Sequence, residues 1–340
     1  MRFVLAAVAG ILAAQSTGFA QTATVTGQIT SPAGDQPIAF ATIANLSNGT
    51  QQLATDNGRF SLANVPVGLV RLRFKRVGFA AADTTISVSG GDALQLRIIM
   101  IPLVLALPEV VVSGVCTNET PRRVQSSDLV ELFDQVKQNA ERLTLFVRTK
   151  PFVLRVVNVQ NNRNVDGQLT PFRTDTIERN ALPAWSYVPK QVIRGRGIMM
   201  PELTNFADTA FTNNHCFHYA GQTRFGTDSV IAVDFEPVPS LAKEADLFGT
   251  MYLQVGSYQL VGVRTTLSNV PPDLRLYLQQ YTTVARFKEI APGIPVLSEW
   301  ELENRFVDPK RLPFVQTSRV LNIRWSTPGT VMTDSMHPHR

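Results

Sequence analysis

The chain has 340 residues and a formal net charge of +5, from 32 Lys and Arg against 27 Asp and Glu. With 44% hydrophobic and 17% charged residues it can bury real cores, which excludes a disordered or low-complexity polymer, and a chain of this length commonly makes two domains. The basic residues are dispersed, with no stripe interleaved by aromatics, which excludes a nucleic-acid partner and leaves resistance to self-association as the meaning of the charge.

Met1-Arg2-Phe3 followed by the apolar run Val4 to Ala14 and small residues before Ala20-Gln21 has the layout of a secretory signal peptide, residues 1–20, cut after Ala20. The run is too short to span a bilayer, and no later stretch approaches about 18 uninterrupted apolar residues. Ile98 to Val112 comes nearest and is broken by Pro102, Pro108 and Glu109. No lipidation cysteine sits at the cleavage point, so an exported protein without a lipid anchor or a transmembrane segment is expected.

Short strands and turns follow in a fixed order. Val25, Gly27 and Ile29 alternate with Thr26 and Gln28, as a strand buried on one face should. Ser31-Pro32-Ala33-Gly34-Asp35 turns the chain, and Pro37-Ile38 leads into Ala41, Ile43 and Leu46. Asp56-Asn57-Gly58 tolerates left-handed backbone before Phe60 and Leu62 restart the alternation. Val65-Pro66-Val67-Gly68 is a further turn before Val70, Leu72 and Phe74, and Glu109-Val110-Val111-Val112 closes the series. Strands and turns at intervals of roughly ten residues are the pattern of a sandwich or barrel. In this order the segment Val25 to Val112 resembles the carboxypeptidase regulatory-like domain, a transthyretin-like β-sandwich of seven-stranded type found in secreted and envelope proteins. The resemblance implies an accessory binding or spacing module over residues 21–113, with a carbohydrate-binding-like fold.

Residues 114–150 read as a connector with one helix. Leu129, Leu132, Phe133, Val136, Ala140 and Leu143 recur at helical spacing behind a polar cap, with Glu131 three residues after Asp128, which predicts an amphipathic helix from about Asp128 to Leu143. Residues 151–325 then read as a β-rich domain. Its predicted strands are Pro151 to Val159, Ser229 to Phe235, Gly249 to Val255, Tyr258 to Leu267, Tyr281 to Ile290, Val296 to Phe306 and Val315 to Trp325. Ala291-Pro292-Gly293-Ile294-Pro295 is the expected turn within one hairpin, and residues 326–340 are expected to form a loose tail. The segments Val230 to Pro237, Gly249 to Leu253 and Tyr258 to Val263, with His215-Cys216-Phe217, resemble envelope proteins in which the regulatory-like module precedes an uncharacterised β-rich domain. The strand order is also similar to the curved half-barrel of periplasmic lipoprotein carriers. What these resemblances imply is a mainly β chain: a sandwich, one amphipathic helix and a curved antiparallel sheet. Unlike TonB-dependent receptors that begin with the same module, it is expected to carry no membrane barrel.

The 2 cysteines, Cys116 and Cys216, are expected to pair in an oxidising compartment, where an even count favours a disulfide; two free buried thiols are the alternative.

Catalytic patterns are missing. None of the 4 histidines begins a His-x-x-Glu zinc motif, and on a strand His215 and His218 would face opposite ways. No Gly-x-Ser-x-Gly elbow occurs, and His337 and His339 fall in the tail. Arg194-Gly195-Arg196-Gly197 lacks the phosphate-binding fingerprint and reads as a turn. Glu299, Glu301 and Glu303 alternate along one solvated strand face, with Trp300 and Leu302 on the buried one. Trp185, Tyr187, Phe206, Phe211, Phe217 and Tyr219 could line a groove but read better as core. The sequons at Asn45, Asn48 and Asn118 matter only in a glycosylating host. No catalytic residue, metal ligand or cofactor is assigned, and the ligand-binding residues stay unassigned. The expected function is that of a non-enzymatic cell-envelope protein that binds carbohydrate or another envelope component. The alternative is a carrier of a lipid or lipidated segment in a groove of the C-terminal sheet.

Overall fold

The computed structural model describes residues 22–105, 116, 127–195 and 197–326. The expected signal peptide, the sequon at Asn118, the tail histidines and nearly all of the expected tail lie outside the described residues.

Strands β1 (Thr22–Thr30), β2 (Thr42–Asn45), β3 (Gln51–Leu53), β4 (Arg59–Pro66), β5 (Gly68–Lys75), β6 (Ala82–Val88) and β7 (Ala93–Ile99) form the sandwich. A three-stranded sheet ordered β4-β1-β7 lies over a four-stranded one ordered β3-β2-β5-β6. β1 runs antiparallel to β4 and parallel to β7, so the first and last strands are neighbours. The alternation behaves as read: Ala23, Val25 and Ile29 are buried with Ile43, Phe60, Leu72 and Phe74, while Thr24 and Thr26 face water. Gly58 sits at φ +72, and a Cβ there would lie 2.6 Å from the Ile29 carbonyl oxygen. The Asp-Asn-Gly turn therefore needs glycine twice over, for conformation and for space.

Helix α1 (Ser127–Thr149) is longer than its sequence pattern predicts. Phe146 extends the apolar stripe by another turn, and Pro151 disfavours helical geometry at Lys150, so the helix stops there. β8 (Phe152–Arg163) and β9 (Leu169–Asn180) follow, then the small hairpin β10 (Ile193–Arg194) and β11 (Gly197–Ile198), and the short helices α2 (Leu203–Phe206) and α3 (Thr209–Asn214). A meander completes the chain: β12 (His215–Phe225), β13 (Asp228–Pro237), β14 (Leu247–Gln254), β15 (Leu260–Leu267), the turn of helix α4 (Pro272–Arg275), β16 (Leu278–Ala291), β17 (Ile294–Phe306) and β18 (Phe314–Trp325).

These strands form one nine-stranded antiparallel sheet in the order β12-β13-β14-β15-β16-β17-β18-β8-β9. β8 pairs with β18, Phe152 opposite Trp325, so strands more than 150 residues apart in sequence must meet before the sheet is complete. The hairpin between β16 and β17 is tighter than the five-residue turn expected: Ala291 already pairs with Ile294, and Pro292-Gly293 alone make the connection, with Gly293 at φ +68. β9 and β12 were not legible as strands. β9 is an edge strand exposed almost throughout, so it carries no apolar alternation.

The apolar stripe of α1 packs on one face of this sheet. Leu132, Val136, Leu143 and Phe146 share a core with Phe206, Phe235, Tyr281 and Phe287. Phe40 and Val77 of the sandwich belong to the same cluster.

Candidate functional site

Parallel pairing of β1 with β7 puts Thr26 opposite Gln95 and Gln28 opposite Arg97. Because side chains alternate between faces, these polar residues form two adjacent rows on the side of the sheet away from the Val25 and Ile29 core. The loop leaving β1 folds back on itself, with the Ser31 amide donating to the Gln36 carbonyl and Asp35 at φ +54. This brings the Asp35 carboxylate into an ion pair with Arg97.

The result is a cleft of about 500 Å³ lined by Gln28, Thr30, Asp35, Gln95, Leu96 and Arg97. Two amides donate and accept, a guanidinium only donates and a carboxylate only accepts. Thr30 is 3% exposed, and its hydroxyl has no hydrogen-bond partner among the described residues. Asp35 raises the pKa of Arg97 by hydrogen bonding and charge; both side chains are well exposed, so the pair contributes little to stability. The four phenylalanines of the described sandwich offer no stacking platform: Phe40, Phe60 and Phe74 are buried and Phe79 is half-buried.

A second, smaller cleft of about 240 Å³ lies on the other face of the large sheet from α1, lined by Arg264, Gln280, Thr282, Val284, Glu301, Glu303 and Arg305. Its carboxylates are already engaged. Arg163 reaches Glu301 at 3.3 Å and Glu303 at 3.1 Å, and Arg305 donates to Glu303 at 2.7 Å. Trp300 is buried on the opposite face, as the alternation predicts.

The other residues singled out from the sequence fall into structural roles. His215 is fully buried, its ring nitrogens 2.9 Å from the Phe211 carbonyl oxygen and 3.0 Å from that of Leu247. Beside it the Tyr187 hydroxyl donates to Asp246 at 2.7 Å; burial first, then the Asp246 charge, raises the Tyr187 pKa. His218 faces Glu236 instead, so the two histidines share no site. Among the described residues no group of three or more His, Cys, Asp and Glu could hold a metal ion. Cys116 and Cys216 are joined in a disulfide with Cα atoms 5.7 Å apart, packed against Val238 and Leu241. Arg194 and Gly197 flank the turn of the β10–β11 hairpin. Tyr187, Phe206 and Phe211 are core residues, and Trp185 and Phe217 pack against that core. Sequence reasoning missed the cleft residues. Their only signal was the row of polar residues on alternate positions of β1 and β7, and Asp35 was read as part of a turn.

Residues 25–112 match the CarboxypepD_reg-like domain. No curated protein matches the chain. Among solved structures, a LolA superfamily protein of Nitrosomonas europaea is 9% identical over 56% of this chain and 92% of its own, with a TM-score of 0.28. A putative carbohydrate binding protein of Bacteroides uniformis is 9% identical over 88% of this chain and 100% of its own, with a TM-score of 0.22. A cohesin–X-dockerin complex of Acetivibrio cellulolyticus is 20% identical over 23% of this chain, with a TM-score of 0.20. The chain spans 56% of the length of that structure, less than two thirds.

Proposed function

We propose that the protein is a non-catalytic, exported binding protein of the cell envelope whose sandwich takes a carbohydrate, or another component rich in hydroxyl groups, in the cleft over β1 and β7. The observation that carries this reading is the cleft lining: the amides of Gln28 and Gln95, the Asp35–Arg97 pair and the unpartnered, buried Thr30 hydroxyl converge on one concavity. Hydroxyl groups both donate and accept, and such a mixed set satisfies them in either role. The regulatory-like match over residues 25–112 supports a binding rather than a catalytic role. Export is supported by the disulfide and by the layout of Met1 to Ala20. The lipid-carrier reading has less behind it, because Leu132, Val136, Leu143 and Phe146 of α1 pack in one cluster with Phe235, Tyr281 and Phe287 of the sheet.

The test is a glycan array probed with the full, oxidised chain, followed by calorimetric titration of any glycan retained. Arg97→Ala and the double variant Gln28→Ala, Gln95→Ala should each weaken binding about tenfold or more, the effect of losing one or two hydrogen bonds, one of them charged. Glu301→Gln in the second cleft should leave it unchanged. Equal affinity in all variants, or no glycan retained at all, would overturn the proposal. N-terminal sequencing of protein from the native host should begin at Gln21, and recovery of Met1 would contradict export by a cleaved signal.

A further inference from the structure

The sandwich meets α1 along a row of polar residues. Gln135, Asn139 and Arg142, at i, i+4 and i+7 on the helix, are each 0% exposed. Two of them bind the sandwich directly: the Gly78 amide donates to Gln135 Oε1 at 3.0 Å, and Arg142 Nε donates to the Phe40 carbonyl at 3.0 Å. Arg142 Nη2 also donates to the Pro292 carbonyl in the β16–β17 turn, at 3.3 Å. On the sandwich side Arg76 Nε donates to the Ala39 carbonyl at 3.1 Å. The ring of Phe40 stands edge-on to Phe146 with centroids 5.5 Å apart, wedged into the core beneath α1.

Several features of this seam are unfavourable as long as it stays closed. Both side-chain polar atoms of Asn139 and Nη1 of Arg142 are buried with no partner among the described residues, and desolvated groups of this kind regain hydrogen bonds only by meeting water. Burial drives the Arg142 guanidinium well below its ordinary pKa, and the neighbouring Arg76 charge adds to the effect. Burial likewise lowers Arg76 to about 10, against a weaker pull from Glu289. The apolar stripe of α1, by contrast, loses its packing if the helix leaves the sheet. The two sides of α1 are therefore unequal in what separation would cost.

We propose that the seam between the sandwich and α1 is a separable latch. The sandwich undocks as a unit from Gln135, Asn139 and Arg142, giving up the Leu105–Tyr258 hydrogen bond and drawing Phe40 and Val77 out of the shared cluster, while its own core and the packing of α1 on the nine-stranded sheet stay folded. Opening gives the orphaned amide and guanidinium groups water.

Native-state hydrogen exchange on the full, oxidised chain tests this, with the Gly78 amide as reporter of the seam. In the unsubstituted protein Gly78 should exchange through an opening with a smaller denaturant dependence than the amides of Ile43 and Phe74, which pair within the sandwich. Asn139→Leu removes both orphaned atoms at similar size and should slow Gly78 exchange about tenfold, leaving Ile43 and Phe74 as they were. Exchange of Gly78 only with global unfolding overturns the latch. So does an Asn139→Leu protein in which Gly78 exchanges as fast as before or faster. If that variant does not fold, the exchange pattern of the unsubstituted chain decides alone.

Discussion

Removing the Cys116–Cys216 bond should weaken the C-terminal sheet far more than the sandwich. The bond joins residues 100 apart in sequence, a loop that contains α1, β8, β9, the β10–β11 hairpin, α2 and α3. In the chain-entropy model a closed loop of 100 residues is worth about 4.7 kcal/mol at 25 °C, because the cross-link restricts the unfolded chain. Set against a typical stability of about 5–15 kcal/mol, that is a large share. Cys216 is 5% exposed on the edge strand β12, so alanine rather than serine is the cleaner replacement: it adds no buried hydroxyl. The comparison is urea unfolding of the oxidised protein and the Cys116→Ala, Cys216→Ala double variant, followed by tryptophan fluorescence. All 3 tryptophans, Trp185, Trp300 and Trp325, lie in the C-terminal part, so the signal reports that part alone. A loss of about 2–5 kcal/mol is expected, with amide protection in β1 and β5 unchanged. A loss below about 1 kcal/mol would show that the cross-link does not restrict the unfolded chain as the loop length requires.

Other substitutions test the packing directly. Phe146 is 2% exposed and touches the rings of Phe40, Phe152 and Trp325, so Phe146→Ala should cost about 3–5 kcal/mol in urea unfolding; a cost under about 1 kcal/mol would mean that the junction collapses around the cavity. Gly58→Ala places a Cβ 2.6 Å from a backbone oxygen at φ +72, whereas Gly34→Ala at φ +68 meets nothing within 4 Å. The first should therefore lower the melting temperature clearly more than the second, and equal shifts would refute the steric argument. Burial holds the Glu202 carboxyl above its ordinary range, against the charge and hydrogen bond of Arg179 at 2.5 Å. Its folded pKa is thus raised, and the stability it contributes is fully present below the unfolded pKa and is lost as pH rises through the folded one. Unfolding free energies measured across the acid range should show that decline in the native protein and a flatter profile in Glu202→Gln; parallel profiles would contradict it.

The sandwich was legible because its information is local. Turn residues such as Asp56-Asn57-Gly58 and Val65-Pro66-Val67-Gly68 punctuate two-residue alternation, and neither signal depends on distant partners. The helix was legible for the same reason, since Leu129, Leu132, Val136, Ala140 and Leu143 repeat within one segment. The polar face of β17 could also be read, because Glu299, Glu301 and Glu303 alternate with Trp300 and Leu302, although Arg163 and Arg305 half-cover Glu303 there. Non-local pairing decided the rest. β9 carries polar residues on both faces and becomes a strand only because β8 offers its edge. The cleft exists only because β1 lies parallel to β7 and the loop at Asp35 turns back toward Arg97. Gln135, Asn139 and Arg142 look in sequence like the solvated side of an amphipathic helix, yet all three are fully buried. Period and polarity state which side of a helix avoids water, but not whether a second body covers the other side. That depends on where the sandwich docks, through Phe40 and Gly78, which lie 102 and 57 residues from their partners Arg142 and Gln135.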